Sequence, residues 1–155
     1  MNVADAEKQG AFVSHYGACG VCSTTQDLSA YLNYPDMTSQ GKECAALGLI
    51  NEKLGIECYQ KLGFTEQCST IWMYDGTYDG SNCFLTCIEN LGKPNNGPAP
   101  ECALNPCLDC DEQKAGPLFK QIAARTRRRS GLISAILRPC DSVAKITHVA
   151  CPYVS

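Results

Sequence analysis

Residues 16–32 read YGACGVCSTTQDLSAYL, a Cys-Gly-Val-Cys pair followed by a Ser/Thr cluster, a Gln and the amphipathic start of a helix. Three frameworks compete for that pair: a redox-active dithiol, half of a zinc site, and one end of a disulfide network. The choice among them decides the fold. A Cys-x-x-Cys at a helix N-terminus has its thiolate stabilised by unpaired backbone N–H groups and the helix dipole, so the local sequence is consistent with redox chemistry. Ser23 stands three residues before Gln26, the spacing of a capping box, which predicts loop, cap and then a helix through Leu28, Tyr31 and Leu32.

Working outward, the chain of 155 residues carries twelve cysteines, an even number spread over its whole length: Cys19, Cys22, Cys44, Cys58, Cys68, Cys83, Cys87, Cys102, Cys107, Cys110, Cys140 and Cys151. Dense, even cysteine usage in a chain of this size points to a disulfide framework formed in an oxidising compartment, and six bonds are expected. Twelve cysteines allow on the order of ten thousand full pairings, so the connectivity is not legible. Cys83 and Cys87 are one helical turn apart, face the same way, and are expected to staple one helix to two different segments.

The competing metal readings fit less well. His15 precedes the first pair, and Cys107/Cys110 is a second Cys-x-x-Cys, yet Cys22 and Cys107 are 85 positions apart, against roughly 12–20 in zinc fingers. Cys58 and Cys68 enclose nine residues as in twin Cys-x9-Cys hairpins, but Cys140 and Cys151 enclose ten. In Asp75-Gly-Thr-Tyr-Asp-Gly-Ser-Asn82 the first calcium-loop positions match, whereas the twelfth, which should be Glu, is Thr86, so a tight turn is expected there. No metal and no cofactor are expected.

Enzyme signatures are sparse. A thiol oxidoreductase using Cys19 and Cys22 should show a buried strand before the pair, and only Phe12-Val13-Ser14-His15-Tyr16 precedes it. His15 and His148 are the only histidines, and there is neither a Gly-x-Ser-x-Gly elbow nor a phosphate-binding glycine loop. The N-terminal MNVADAEKQGAFVSH has no basic n-region and no apolar core, so an exported protein would be represented here by its mature form, without signal or transit peptide. No apolar run approaches the roughly 18 residues of a membrane span, and none of the asparagines lies in a glycosylation sequon.

Apolar residues recur at helical spacing, and Leu54-Gly55, Leu62-Gly63 and Leu91-Gly92 read as helix stops after segments 42–54, 56–62 and 81–91. Thr65 and Ser81 are the expected N-caps, and residues 92–106, rich in Gly, Pro and Asn, an ordered loop. The expected fold is mainly α: one small cysteine-rich domain over residues 1–155, stapled by multiple disulfides and carrying long irregular loops.

Charge divides that domain. Residues 1–112 hold five Lys and Arg against fifteen Asp and Glu, a net of −10, and residues 113–155 hold eight against Asp141 alone, a net of +7. Either the halves pair across the fold, with Asp109, Asp111 or Glu112 meeting the RTRRRSG run, or Arg125, Arg127, Arg128 and Arg129 form a basic surface for an acidic partner or anionic membrane. On a helix, three consecutive arginines would spread over about 200°, so at least one is expected to pair internally and at least one to stay free. Nucleic acid is not expected, because the cluster lacks interleaved aromatics and the whole-chain pI is about 5.3.

Cys19-Gly-Val-Cys-Ser23 with Asp27, Gly63-Phe-Thr65 with Cys68 and Trp72, Cys83 with Cys87, Asn105-Pro-Cys-Leu-Asp-Cys-Asp-Glu112, Gly116-Pro-Leu-Phe119, Arg125-Thr-Arg-Arg128 and Ser130-Gly-Leu132 together resemble an uncharacterised cysteine-rich family of eukaryotic microbes. The resemblance runs from about Cys19 to Pro139. It implies a shared scaffold and an exported setting, and carries over no catalytic residue. The functional expectation is a non-catalytic structural or interaction protein of an extracytoplasmic space, secreted or in an organelle lumen. Its most concrete form is an accessory subunit docking on an acidic protein or membrane-complex surface through the Arg125–Arg129 region and the proline-rich loop. The alternatives are a thiol–disulfide oxidoreductase using Cys19/Cys22 and a secreted effector or defence-like protein.

Overall fold

A computed structural model describes residues 3–148, apart from the side chain of Cys140; Cys151 lies outside the described residues. Among the described residues there are eight α-helices and no strand: α1 Val3–Lys8, α2 Thr25–Asn33, α3 Thr38–Ile50, α4 Glu52–Lys61, α5 Glu66–Asn82, α6 Phe84–Glu89, α7 Pro106–Lys114 and α8 Gly116–Ala123. Two 3₁₀ turns, Arg128–Ser130 and Cys140–Ser142, lie in the irregular segment after α8. Residues 90–105 are also irregular, pinned by one antiparallel bridge between Asn96 and Leu104. The chain is therefore a small, mainly helical domain with long loops.

Its axis is α5, which packs against α3, α4, α6, α7 and α8. The core is an aromatic cluster. Trp72 of α5 lies 4.6 Å from Phe119 of α8 and stacks on Tyr59 of α4 at 6.0 Å, and Tyr31 of α2 meets Phe64 edge-on at 5.1 Å. Such pairs are worth about 0.5–1.5 kcal/mol each beyond their buried area. Their polar ends are used: Trp72 Nε1 donates to Tyr31 Oη at 3.1 Å, and Tyr59 Oη donates to the Gly41 carbonyl at 3.1 Å.

Four disulfides staple this core: Cys22–Cys68, Cys44–Cys58, Cys83–Cys110 and Cys87–Cys107. The first ties the loop before α2 to the first turn of α5, the second closes the α3–α4 hairpin, and the last two join the α5–α6 region to α7. The expectation that Cys83 and Cys87 reach two different segments is corrected. Cys107 and Cys110 are also about one turn apart on their own helix, so two facing helices form a double staple. Cys19 and Cys102 are thiols.

Three local expectations change. Gly55 ends no helix: the α3–α4 break is at Asn51, whose side chain accepts from Lys53 N–H, and Gly55 lies inside α4. A Cβ there would fall 2.8 Å from Gly48 Cα and 2.1 Å from Met73 Sδ, so this glycine is a close helix crossing. Residues 75–82 are not a turn but the second half of α5, where Gly76 faces Ala45 and Gly80 faces Leu49 of α3. Ser81 consequently caps nothing, and its hydroxyl donates to the Thr77 carbonyl. By contrast, Thr65 caps α5 by accepting from Cys68 N–H, and Gly63, with φ +101°, closes α4.

Candidate functional site

The Cys-Gly-Val-Cys segment lies against the end of α8: Val21 and Cys22 N–H donate to the carbonyls of Ile122 and Ala123. Gly20 is needed for this approach, since a Cβ would stand 2.4 Å from the Ile122 oxygen. Cys22 is fully buried and bonded to Cys68, 46 residues on, while Cys19 stays exposed as a thiol. The two cysteines thus have different surroundings and no bond to each other. The N-cap of α2 is Thr24, one residue beyond Ser23, whose hydroxyl instead accepts from Gly20 N–H.

Beside that disulfide sits a residue whose role was not read from sequence. Asp27 is fully buried; its Oδ1 accepts from Thr65 N–H at 2.8 Å and Thr65 Oγ1 at 3.0 Å, and its Oδ2 accepts from Thr24 Oγ1 at 2.5 Å. One carboxylate thereby joins the N-termini of α2 and α5, where negative charge is favoured. Thr24-x-x-Asp27, a capping-box spacing one residue later than the Ser23 one, was the available signal.

The arginine run is not α-helical. After α8 ends, Ala124 takes φ +58°, and the four arginines fan into separate environments. Arg125 is 0% exposed, and its guanidinium makes five hydrogen bonds: to the carbonyls of Cys22, Ser14 and Ser23 and to the hydroxyls of Ser14 and Ser130. None is to a carboxylate, and burial draws its pKa down. This residue clamps residues 14–23 to the α8 end and presents nothing to solvent.

Arg127 donates to the carbonyls of Tyr31 (2.9 Å) and Tyr34 and lies 5.2 Å from the Tyr31 ring centre, so it caps the C-terminus of α2 and complements its dipole. Arg128 bonds Glu112, which also receives Lys120 at 2.6 Å and Arg138 at 2.9 Å. Burial alone would raise the Glu112 pKa, but the Lys120 hydrogen bond and the charges of Arg138 and Arg128 hold it below the usual value. Of the three acids considered as internal partners, Glu112 takes the part, and the charge halves meet here.

Arg129 alone of the four is exposed. It donates through NH1 to the Ala124 carbonyl at 3.2 Å and borders an open groove of about 640 Å³ that Tyr16, Gly17, Ala18, Pro117, Lys120 and Gln121 also line. Leu118 and Ile122 are exposed; Phe119 and Ala123 are the buried face of α8.

A second polar cluster lies between α5 and α7. Asp75, Asp79 and Asp111 each have a fully buried Oδ1 that meets no hydrogen-bond donor, and Asp79 and Asp111 are close enough to shift one another's titration. Beside Asp75 a cavity of about 80 Å³ is lined by Ile71, Tyr74, Tyr78, Lys114, Leu118 and Phe119, among others. Among the described residues no group of three or more His, Cys, Asp or Glu could hold a metal ion, and no helix is long and apolar enough to cross a membrane.

Residues 52–146, more than half of the chain, match a family of unknown function (DUF8771). The chain belongs to that family. The DUF8771 segment takes in α4 to α8, the double staple, the Glu112 hub and all four arginines, and it begins after Cys19, Cys22 and Asp27. No curated protein matches the chain, and no solved structure does.

Proposed function

We propose that this DUF8771 chain is a non-catalytic interaction protein of an oxidising extracytoplasmic space, secreted or organelle-lumenal, that acts as an accessory subunit by docking on an acidic protein surface. The observation that carries this reading is the groove bordered by Arg129. Arg125, Arg127 and Arg128 use their guanidinium donors inside the fold, whereas Arg129 faces solvent beside Tyr16, Gln121 and Lys120. A planar guanidinium at a groove edge suits a carboxylate through paired hydrogen bonds. Four internal disulfides support the oxidising setting. The partner-binding assignment narrows accordingly from four arginines to Arg129.

The test is binding to an immobilised polyglutamate peptide at low and physiological salt. Wild type should bind at low salt and weaken as salt rises, and Arg129→Glu should lose about tenfold or more. Equal binding by wild type and Arg129→Glu would remove the groove from the account. Anionic vesicles as a parallel probe separate a protein partner from a membrane surface. The oxidoreductase alternative draws on Cys19, which is exposed three residues from Cys22–Cys68. It requires turnover of a disulfide substrate that Cys19→Ser abolishes.

A further inference from the structure

The contacts proposed for docking leave the carboxyl cluster between α5 and α7 without a role. Asp79 is one turn before Cys83, the residue that ends α5, and Asp111 directly follows Cys110 on α7, so the Cys83–Cys110 bond draws together the two segments that carry these carboxyl groups, with Asp75 a further turn along α5. Each buries an oxygen that no donor reaches. Neighbouring buried carboxylates cannot both stay ionised without strong repulsion; a proton held between them turns the repulsion into a hydrogen bond. No other donor takes that place: Lys120 and Arg138 are engaged at Glu112, and Lys114 lines the cavity by Asp75.

We infer that the α5–α7 junction is a proton-operated latch, in which protons on the Asp75, Asp79 and Asp111 cluster hold α7 closed on α5 and their loss lets the α6–α7 arm loosen while its staples keep it attached. The staples define what moves. Cys83–Cys110 and Cys87–Cys107 bind α6 and α7 into one unit tethered at the end of α5, whereas the core face of α5 is fixed by Tyr59, Trp72 and Phe119. Loosening α7 disturbs the cavity beside Asp75, whose wall Lys114 shares with Tyr74 and Tyr78.

The groups facing the cluster agree on the direction. Burial, then the charges of Asp111 and Glu112, push Asp75 up to about 8, against the opposing charge of Lys120. Burial and Asp111, with Asp75, push Asp79 up as well. Asp111 is pushed up too, by burial and by the charge of Glu112, against the opposing influence of Asp79, Lys120 and Arg138. From α4, Tyr59 stays a neutral phenol, raised by burial and by Asp75 and Asp79. His15 and His148 are bonded elsewhere, to the carbonyls of Tyr16 and Ser130. Closure is thus complete in acid and lost as pH rises toward about 8.

Hydrogen exchange on the full chain, corrected for intrinsic rates, tests this by comparing amides of residues 106–114 with those of residues 38–50. Between pH 5 and pH 8.5, protection in 106–114 should fall about tenfold or more in wild type while 38–50 changes little. In Asp111→Asn, which removes a charge and keeps the shape, the fall should vanish. Asp79→Asn gives the same reading should the first variant not fold, and the wild-type contrast between the segments stands without either. Protection in 106–114 that is flat with pH, or falls in step with 38–50, or falls equally in the variants, overturns the latch. None of these readings involves Arg129, so the docking proposal is tested separately.

Discussion

The α2–α5 region and the α6–α7 arm are stapled by two disulfides each and otherwise have little in common. Around α2–α5 the side chains close on one another: Tyr31, Tyr59, Phe64 and Met73 are buried, and Asp27 has a donor for each oxygen. On the arm, Leu85 is 74% exposed, Phe84, Ile88 and Leu91 also face solvent, and the carboxyl oxygens at its base lack donors. The first region is held by packing and satisfied polar groups, with the disulfides as reinforcement. For the second, covalent bonds, the ion pairs of Glu112 and protons substitute for a core. Disulfide count alone thus says little about how a segment is stabilised; what the staples enclose decides it.

The sharpest way to break the comparison is truncation. Phe64→Ala should cost about 3–5 kcal/mol in urea unfolding, whereas Leu85→Ala on the arm should stay within about 0.5 kcal/mol. Comparable losses would mean the arm has a core of its own. Removing bonds should follow the loop enclosed: eliminating Cys22–Cys68, with a separation of 46, should cost about 4 kcal/mol, and Cys44–Cys58, with a separation of 14, about 3 kcal/mol. Asp27→Ala, which leaves Thr65 N–H without its buried acceptor, should cost about 1–3 kcal/mol.

Acidity sharpens the contrast further. Asp75, raised in the folded state to about 8 from an ordinary value of 3.8, gives stability that is fully present below about 4 and is lost as pH climbs through about 8. Glu112, held low, works in the opposite sense and loses its contribution as pH falls below the ordinary carboxylate range. Thermal unfolding midpoints should therefore be higher near pH 5 than at pH 8, and Asp75→Asn should shrink that difference. The smallest effect on stability is expected at the groove, where Arg129→Glu should shift unfolding by no more than about 0.5 kcal/mol.

Much of the scaffold was legible, because its signals are local: the Thr65 cap, the Gly63 stop and helical spacing need only a few neighbouring residues. The course of α5 was not. It is packed by other helices on several sides, so its apolar residues show no single stripe, and Asp-Gly pairs that normally favour turns are kept helical by the close approach of α3 at Gly76 and Gly80. Arg125 read as surface because arginine is rarely buried, yet three carbonyls and two hydroxyls more than 100 or as few as five residues away supply its bonds. Such long-range acceptors leave no mark near position 125. At the candidate site, the acids around Glu112 were legible from charge; the exposure of Arg129 alone was decided by the break at Ala124.

Whether Cys22 is a structural cysteine is the central claim, since it separates a stapled binding scaffold from a dithiol enzyme. Peptide mapping of the unreduced chain, alkylated in denaturant, tests it directly. Cys22–Cys68, Cys44–Cys58, Cys83–Cys110 and Cys87–Cys107 should be recovered as linked peptides. A Cys19–Cys22 bond, or Cys22 recovered as a free thiol with Cys68, would contradict the account.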